Sequence, residues 1–129
     1  MIAGIGTDIV AIERMRKAWQ RHGERLAQRI LTPHEFDLFD SCVANEVAFL
    51  ARRFAAKEAA AKALGTGFRD GVGLRSLEVG HDRLGKPGLR LLDGAAKRGE
   101  ALKVSEIHLS LSDERDYAVA FVIIVAGQN

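Results

Sequence analysis

At 129 residues the chain has room for one domain with a real core and no second. Hydrophobic residues make up 47% and charged residues 28%, an ordinary globular balance, while a net charge of only +2 and an aromatic content of 6% argue against nucleic-acid binding. Cys42 is the only cysteine, which excludes an intrachain disulfide and a cysteine-based metal cluster, and no apolar run approaches the ~20 residues of a membrane helix. The segment Met1-Ile-Ala-Gly-Ile-Gly-Thr-Asp8 lacks the basic start of a signal peptide, so a cytoplasmic location is expected.

Residues 2–10 are a short apolar run with two glycines and predict a buried strand. From Ile12 to Leu31, the residues Ile12, Met15, Trp19, Leu26 and Ile30 recur at helical spacing, with Gly23 as a candidate interruption. Thr32-Pro33-His34-Glu35 has the form of a helix start, with Thr32 as N-cap, Pro33 at the first position and Glu35 at the third. An alanine-rich helix is expected from Asn45 or Glu46 to Leu64, ended by Gly65.

The second half changes period. Leu77 and Val79, then Leu89 and Leu91, alternate around a turn from Gly80 to Gly88 and predict a hairpin. Asp93 to Leu102 reads as a short helix. Ile107, Leu109 and Leu111 alternate with His108, Ser110 and Ser112 as a half-buried strand, and Asp113–Asp116 forms the next turn. Tyr117 to Val125 is apolar on both alternating faces, as in a central or interface strand. The expected class is α+β, a small antiparallel sheet packed on one long helix.

Chemistry concentrates in two segments. In Arg53-Phe-Ala-Ala-Lys57-Glu58-Ala-Ala-Ala-Lys62-Ala-Leu-Gly65-Thr66-Gly67, Glu58 and Lys62 share one helical face and precede a glycine turn. A second carboxylate, Asp8, lies in Gly4-Ile-Gly-Thr-Asp8-Ile-Val. Two carboxylates, a lysine and a glycine turn suit a divalent metal holding a phosphorylated substrate. Each also has a plainer reading: Glu58/Lys62 as a surface pair, Asp8 as a helix cap, the glycines as a helix stop, His108 as a sheet residue. No Gly-Lys-Ser/Thr of a Walker loop is present. Arg14, Lys17, Arg21 and Arg25 form one basic stripe if the first helix continues through Gly23, or else a solvated face.

These two motifs, with Gly85-Lys86-Pro87 and His108-Leu-Ser-Leu-Ser112 in the same order, resemble the holo-[acyl-carrier-protein] synthases, the small bacterial-type 4'-phosphopantetheinyl transferases. The resemblance covers nearly the whole chain. It implies transfer of 4'-phosphopantetheine from coenzyme A to a serine of acyl carrier protein, in fatty acid biosynthesis, with release of adenosine 3',5'-bisphosphate. It also implies magnesium and a homotrimer with active sites between subunits.

On that resemblance Asp8 and Glu58 are the metal ligands, and Glu58 and Lys62 are the catalytic residues. Arg53, Lys62, Gly65, Thr66, Gly67, Lys86 and Pro87 are the coenzyme A contacts, the Lys86–Pro87 loop reaching a neighbouring subunit's site. Arg14 matches an arginine that docks the acidic carrier protein, and Arg25 and Arg29 match further ones after a one-residue offset; with Arg21 from the basic stripe, Arg14 and Arg25 form the expected docking set. The base for the serine hydroxyl is either Glu58 or a metal-bound hydroxide beside it. One departure is plain. Many relatives carry a histidine where this chain has Asp113, and an aspartate repels phosphate, so Asp113 is left out of the site.

Overall fold

Glycine decides how the core is assembled. The chain opens with strand β1 (Ile2–Ala11), in which Gly4, Gly6 and Asp8 fall on one face because strand side chains alternate. That face lies against the long helix α4 (Glu46–Ala63). A Cβ at Gly4 would stand 1.9 Å from the Ala63 carbonyl oxygen, and one at Gly6 would stand 2.0 Å from that of Ala59. The missing side chains let strand and helix backbones meet directly. The computed structural model describes residues 1–41 and 45–127; Cys42 lies outside them.

Between β1 and α4 come helices α1 (Ile12–His22), α2 (Glu24–Ile30) and α3 (Pro33–Asp40). Gly23, at φ 56° and ψ −135°, interrupts the helical run from Ile12 at the position the sequence marked as a candidate break. Only a residue free of Cβ strain takes that backbone easily, so the basic stripe is split between two helices. The helix start at Thr32 is as expected. The Thr32 hydroxyl accepts from the Glu35 N–H, the Glu35 carboxylate accepts from the Thr32 N–H, and Pro33 sits in the first turn. Asn45 caps α4 by accepting from the Ala48 N–H. Leu64 closes the helix, and Gly65 follows it at φ 81°.

A short 3-10 turn at Leu74–Ser76 leads into β2 (Leu77–His81), β3 (Pro87–Leu91), α5 (Asp93–Leu102), β4 (Val104–Asp113) and β5 (Tyr117–Ala126). The expected single sheet is two: β1-β5-β4, antiparallel throughout, and the β2-β3 hairpin. β5 is the central strand, as its apolar faces suggested. Its Ala118, Ala120, Val122 and Ile124 are buried toward α4, while Tyr117, Val119 and Phe121 point outward and remain exposed.

β1 is not the fully buried strand that its composition predicted. Ile5 and Ile9 are each 61% exposed, on the same outer face as the β5 aromatics. An apolar sequence cannot say whether its cover comes from its own chain or from another.

Candidate active site

Helix α4 is buried almost all round, because β1, β5 and the helices of the first half enclose it. One line of side chains escapes burial toward the open side: Phe54, Glu58 and Lys62, at i, i+4 and i+8. Phe54 and Glu58 line a cavity of about 630 Å³ that also takes in Asp8, Arg14, Met15, His22, Leu26 and Arg29. Asp8 reaches it because the two glycines before it bring β1 against the same helix.

The charges there are arranged unevenly. Lys62 donates to the Asp8 carboxylate at 3.1 Å and to the Thr7 carbonyl at 3.0 Å. The plainer reading of Glu58 and Lys62 as a surface ion pair does not hold: Lys62 reaches across to β1 instead. Among the described residues, Glu58 accepts no hydrogen bond from a protein group. Its carboxyl is pushed above the ordinary glutamate value, first by partial burial and then by the Asp8 charge, with Lys62 opposing. Nor does Asp8 cap a helix: residue 11 stands at the start of α1, and no side chain caps it.

The other cations of the motif turn inward. Arg53, expected at coenzyme A, is 4% exposed. It donates to Glu35 at 3.1 Å and to the Val79 carbonyl, and its guanidinium lies 4.4 Å from the centre of the Phe49 ring. Lys57 is wholly buried and donates to Glu35 and to the Ile30 carbonyl. Glu35 also accepts from the backbone N–H groups of Thr32 and Val79. Burial pushes Arg53 and Lys57 below their ordinary values, and the Glu35 charge opposes this. The cluster ties α3, α4 and β2 together, and it takes Arg53 out of the set of residues facing the cavity.

The remaining expected residues are spread around this centre. Gly65 and Gly67 both have positive φ, and the Thr66 hydroxyl donates to the Gly67 carbonyl at 2.8 Å. Lys86 and Pro87 lie in the hairpin and are absent from the cavity lining; the Lys86 N–H donates to Asp82 at 2.9 Å. Arg14 lines the cavity. Arg25 joins Arg29, Gln28, Leu74 and Arg75 around an adjoining hollow of about 640 Å³, while Lys17 and Arg21 are exposed outside both. Asp113 is held by Arg52 at 3.2 Å, and the exposed His108 ring lies 2.9 Å from Glu106.

Phe54 and His22 were not singled out from the sequence. Phe54 had a signal, its i−4 relation to Glu58. His22 had none, because its approach depends on the angle at which α1 crosses α4.

Residues 4–122 match the family model described as the 4'-phosphopantetheinyl transferase superfamily. The chain is 67% identical over 127 residues to the holo-[acyl-carrier-protein] synthase of Halorhodospira halophila, an alignment covering 98% of this chain and 100% of that protein. Its fold superposes on the crystal structure of the Neisseria meningitidis synthase with a TM-score of 0.91 and 46% identity, covering 97% and 99% of the two chains. The Bacillus anthracis synthase in complex with CoA (3',5'-ADP) gives a TM-score of 0.82 at 34% identity, covering 98% of this chain and 99% of that one. The chain belongs to the holo-[acyl-carrier-protein] synthase family within that superfamily and is an enzyme of the phosphopantetheinyl transferase class.

Proposed function

We propose that the chain moves 4'-phosphopantetheine from coenzyme A to a serine of apo-acyl carrier protein and releases adenosine 3',5'-bisphosphate, in support of fatty acid biosynthesis. The observation that carries this reading is the meeting of Asp8, Glu58 and Lys62 beside a cavity whose lining includes Arg14. The coenzyme A named in the complex of the Bacillus anthracis relative is the donor such a site calls for.

The transfer forms a bond from the serine oxygen to the pantetheine-side phosphorus. It breaks the bond from that phosphorus to the bridging pyrophosphate oxygen, which leaves with the nucleotide. Glu58 is suited to take the hydroxyl proton, because it lines the cavity and, among the described residues, no protein donor competes for it. Lys62 brings a positive charge to the phosphates from the mouth of the site. Phe54, Met15 and Leu26 give the cavity an apolar wall.

Magnesium fits the donor set, since both side chains offer hard oxygens and one is free of hydrogen bonds from the described residues. Asp8 and Glu58 would hold it, leaving further positions for phosphate and water, and it would supply neutralisation of the pyrophosphate charge. Among the described residues, no group of three or more His, Cys, Asp or Glu is gathered for a metal, so a substrate-completed shell is the form that suits this pair.

Docking of the acidic carrier falls to Arg14, Arg21 and Arg25, with Arg29 beside them. A homotrimer is supported by the outer sheet face, where Ile5, Ile9, Tyr117, Val119 and Phe121 stand exposed together. In such an assembly the Gly85-Lys86-Pro87 hairpin would serve a neighbour's site. Among the described residues no helix is long and apolar enough to cross a membrane, and the setting proposed is cytoplasmic.

The deciding assay incubates the protein with coenzyme A, magnesium and apo-carrier, then weighs the carrier. A gain of one phosphopantetheine is expected, and a carrier of unchanged mass refutes the reading. Light scattering should find a trimer; an active monomer at micromolar concentration contradicts that part alone.

A further inference from the structure

The glycine turn poses an electrostatic problem. Gly65-Thr66-Gly67 follows the C-terminus of α4, the negative end of the helix dipole. A phosphate brought there meets repulsion unless a cation intervenes. Lys62 lies in the last turn, but its ammonium is directed to Asp8 and Thr7.

Arg98 supplies the missing charge from a different element. It projects from α5, and its Nε donates to the Leu64 carbonyl at 2.9 Å. Among the described residues it is the only side chain bonded to the carbonyls that end α4. Its terminal NH2 nitrogen lies 3.4 Å from where a Cβ on residue 65 would stand, so the guanidinium borders the turn itself. The residue is half-buried, and among the described residues no carboxylate pairs with it. With Nε fixed on the backbone, the two terminal nitrogens keep their donors in a rigid fork, the shape that matches phosphate oxygens.

We propose that Arg98 is a phosphate-binding residue for the nucleotide end of coenzyme A, reversing the sign of the α4 C-terminus at the glycine turn. This rests on the coenzyme A reading above. The shared ligand chemistry is a phosphate group; coenzyme A offers it in its pyrophosphate and in its 3'-phosphate.

The test is equilibrium binding by calorimetry of coenzyme A, 3'-dephospho-coenzyme A and adenosine 3',5'-bisphosphate to the wild-type chain, Arg98→Lys and Arg98→Gln. Glutamine keeps a donor for the Leu64 carbonyl but loses the charge. Arg98→Gln should weaken coenzyme A by about tenfold, the scale of one charge-assisted hydrogen bond, and Arg98→Lys by less. In steady-state assays the effect should fall on KM for coenzyme A, with kcat and the KM for carrier little changed. If the 3'-phosphate is the group held, the Arg98→Gln penalty disappears with dephospho-coenzyme A; if the pyrophosphate is held, the penalty persists.

Wild-type affinity in Arg98→Gln, with the wild-type chain still binding and using coenzyme A, overturns this inference alone. A wild-type chain that binds none of the three nucleotides overturns the coenzyme A reading with it.

Discussion

Helix α4 carries two charge clusters within three turns, and they are opposites. Glu35, Arg53 and Lys57 are buried and saturated: each carboxylate oxygen accepts from both a cation and a backbone N–H, and each cation also reaches a carbonyl. Asp8, Glu58 and Lys62 are partly open and unsaturated, with one carboxylate held by no donor among the described residues. Lys57 and Glu58 are sequence neighbours, yet a turn of about 100° per residue sends one to the core and the other to the cavity. A charge whose partners are complete can only hold the fold. A charge left wanting a partner in a half-desolvated place is available to a ligand.

The sharpest way to break this division is to remove the open carboxylates. Asp8→Ala and Glu58→Ala should each lower turnover by about a hundredfold or more and leave the melting temperature near that of the wild type. Near-normal rates at saturating coenzyme A and ordinary magnesium would return both residues to the surface. On the closed side, Glu35→Ala leaves two buried cations without their anion and should cost about 3–5 kcal/mol of stability in denaturant unfolding. A melting curve indistinguishable from wild type would mean that the cluster does not hold α3, α4 and β2 together.

Gly6→Ala joins the two regions. Its Cβ would collide with the Ala59 carbonyl, so β1 must move from α4, carrying Asp8 with it. A stability loss of about 1–3 kcal/mol is expected, together with a loss of turnover larger than the unfolded fraction explains. Parallel thermal melts and kinetics separate the two effects.

The smallest expected effect is on pH. The folded state raises the Glu58 carboxyl above its unfolded value, so the folded state binds this proton more tightly. Its contribution to stability is therefore fully present below the unfolded pKa and is lost as pH rises through the folded one. Without divalent cation, Glu58→Gln should remove a slight decline in stability across that window. An unchanged pH profile would mean that Glu58 is not perturbed by Asp8 and burial.

Much of the fold was legible locally. The capping box at Thr32–Glu35, the span of α4, the β2–β3 hairpin and α5 all rest on contacts between residues close in sequence, and their signals are local too. The pairing of β1 with β5 was not legible, because its partners lie more than a hundred residues apart and alternation names no partner. The site was half legible. Asp8, Glu58 and Lys62 were named, and the structure brings them together. Arg53 was assigned to the same site because it shares their motif, and its burial depends on where β2 and α3 dock. Arg98 carried no signal at all, since its role depends on α5 meeting the end of α4.

The most direct measurement is the intact mass of apo-acyl carrier protein after incubation with coenzyme A, magnesium and either the wild-type chain or Glu58→Gln, the two matched in melting temperature. The wild type should add one phosphopantetheine, while Glu58→Gln leaves the carrier unmodified over the same interval. Equal modification by both would contradict the assignment of chemistry to the open face of α4.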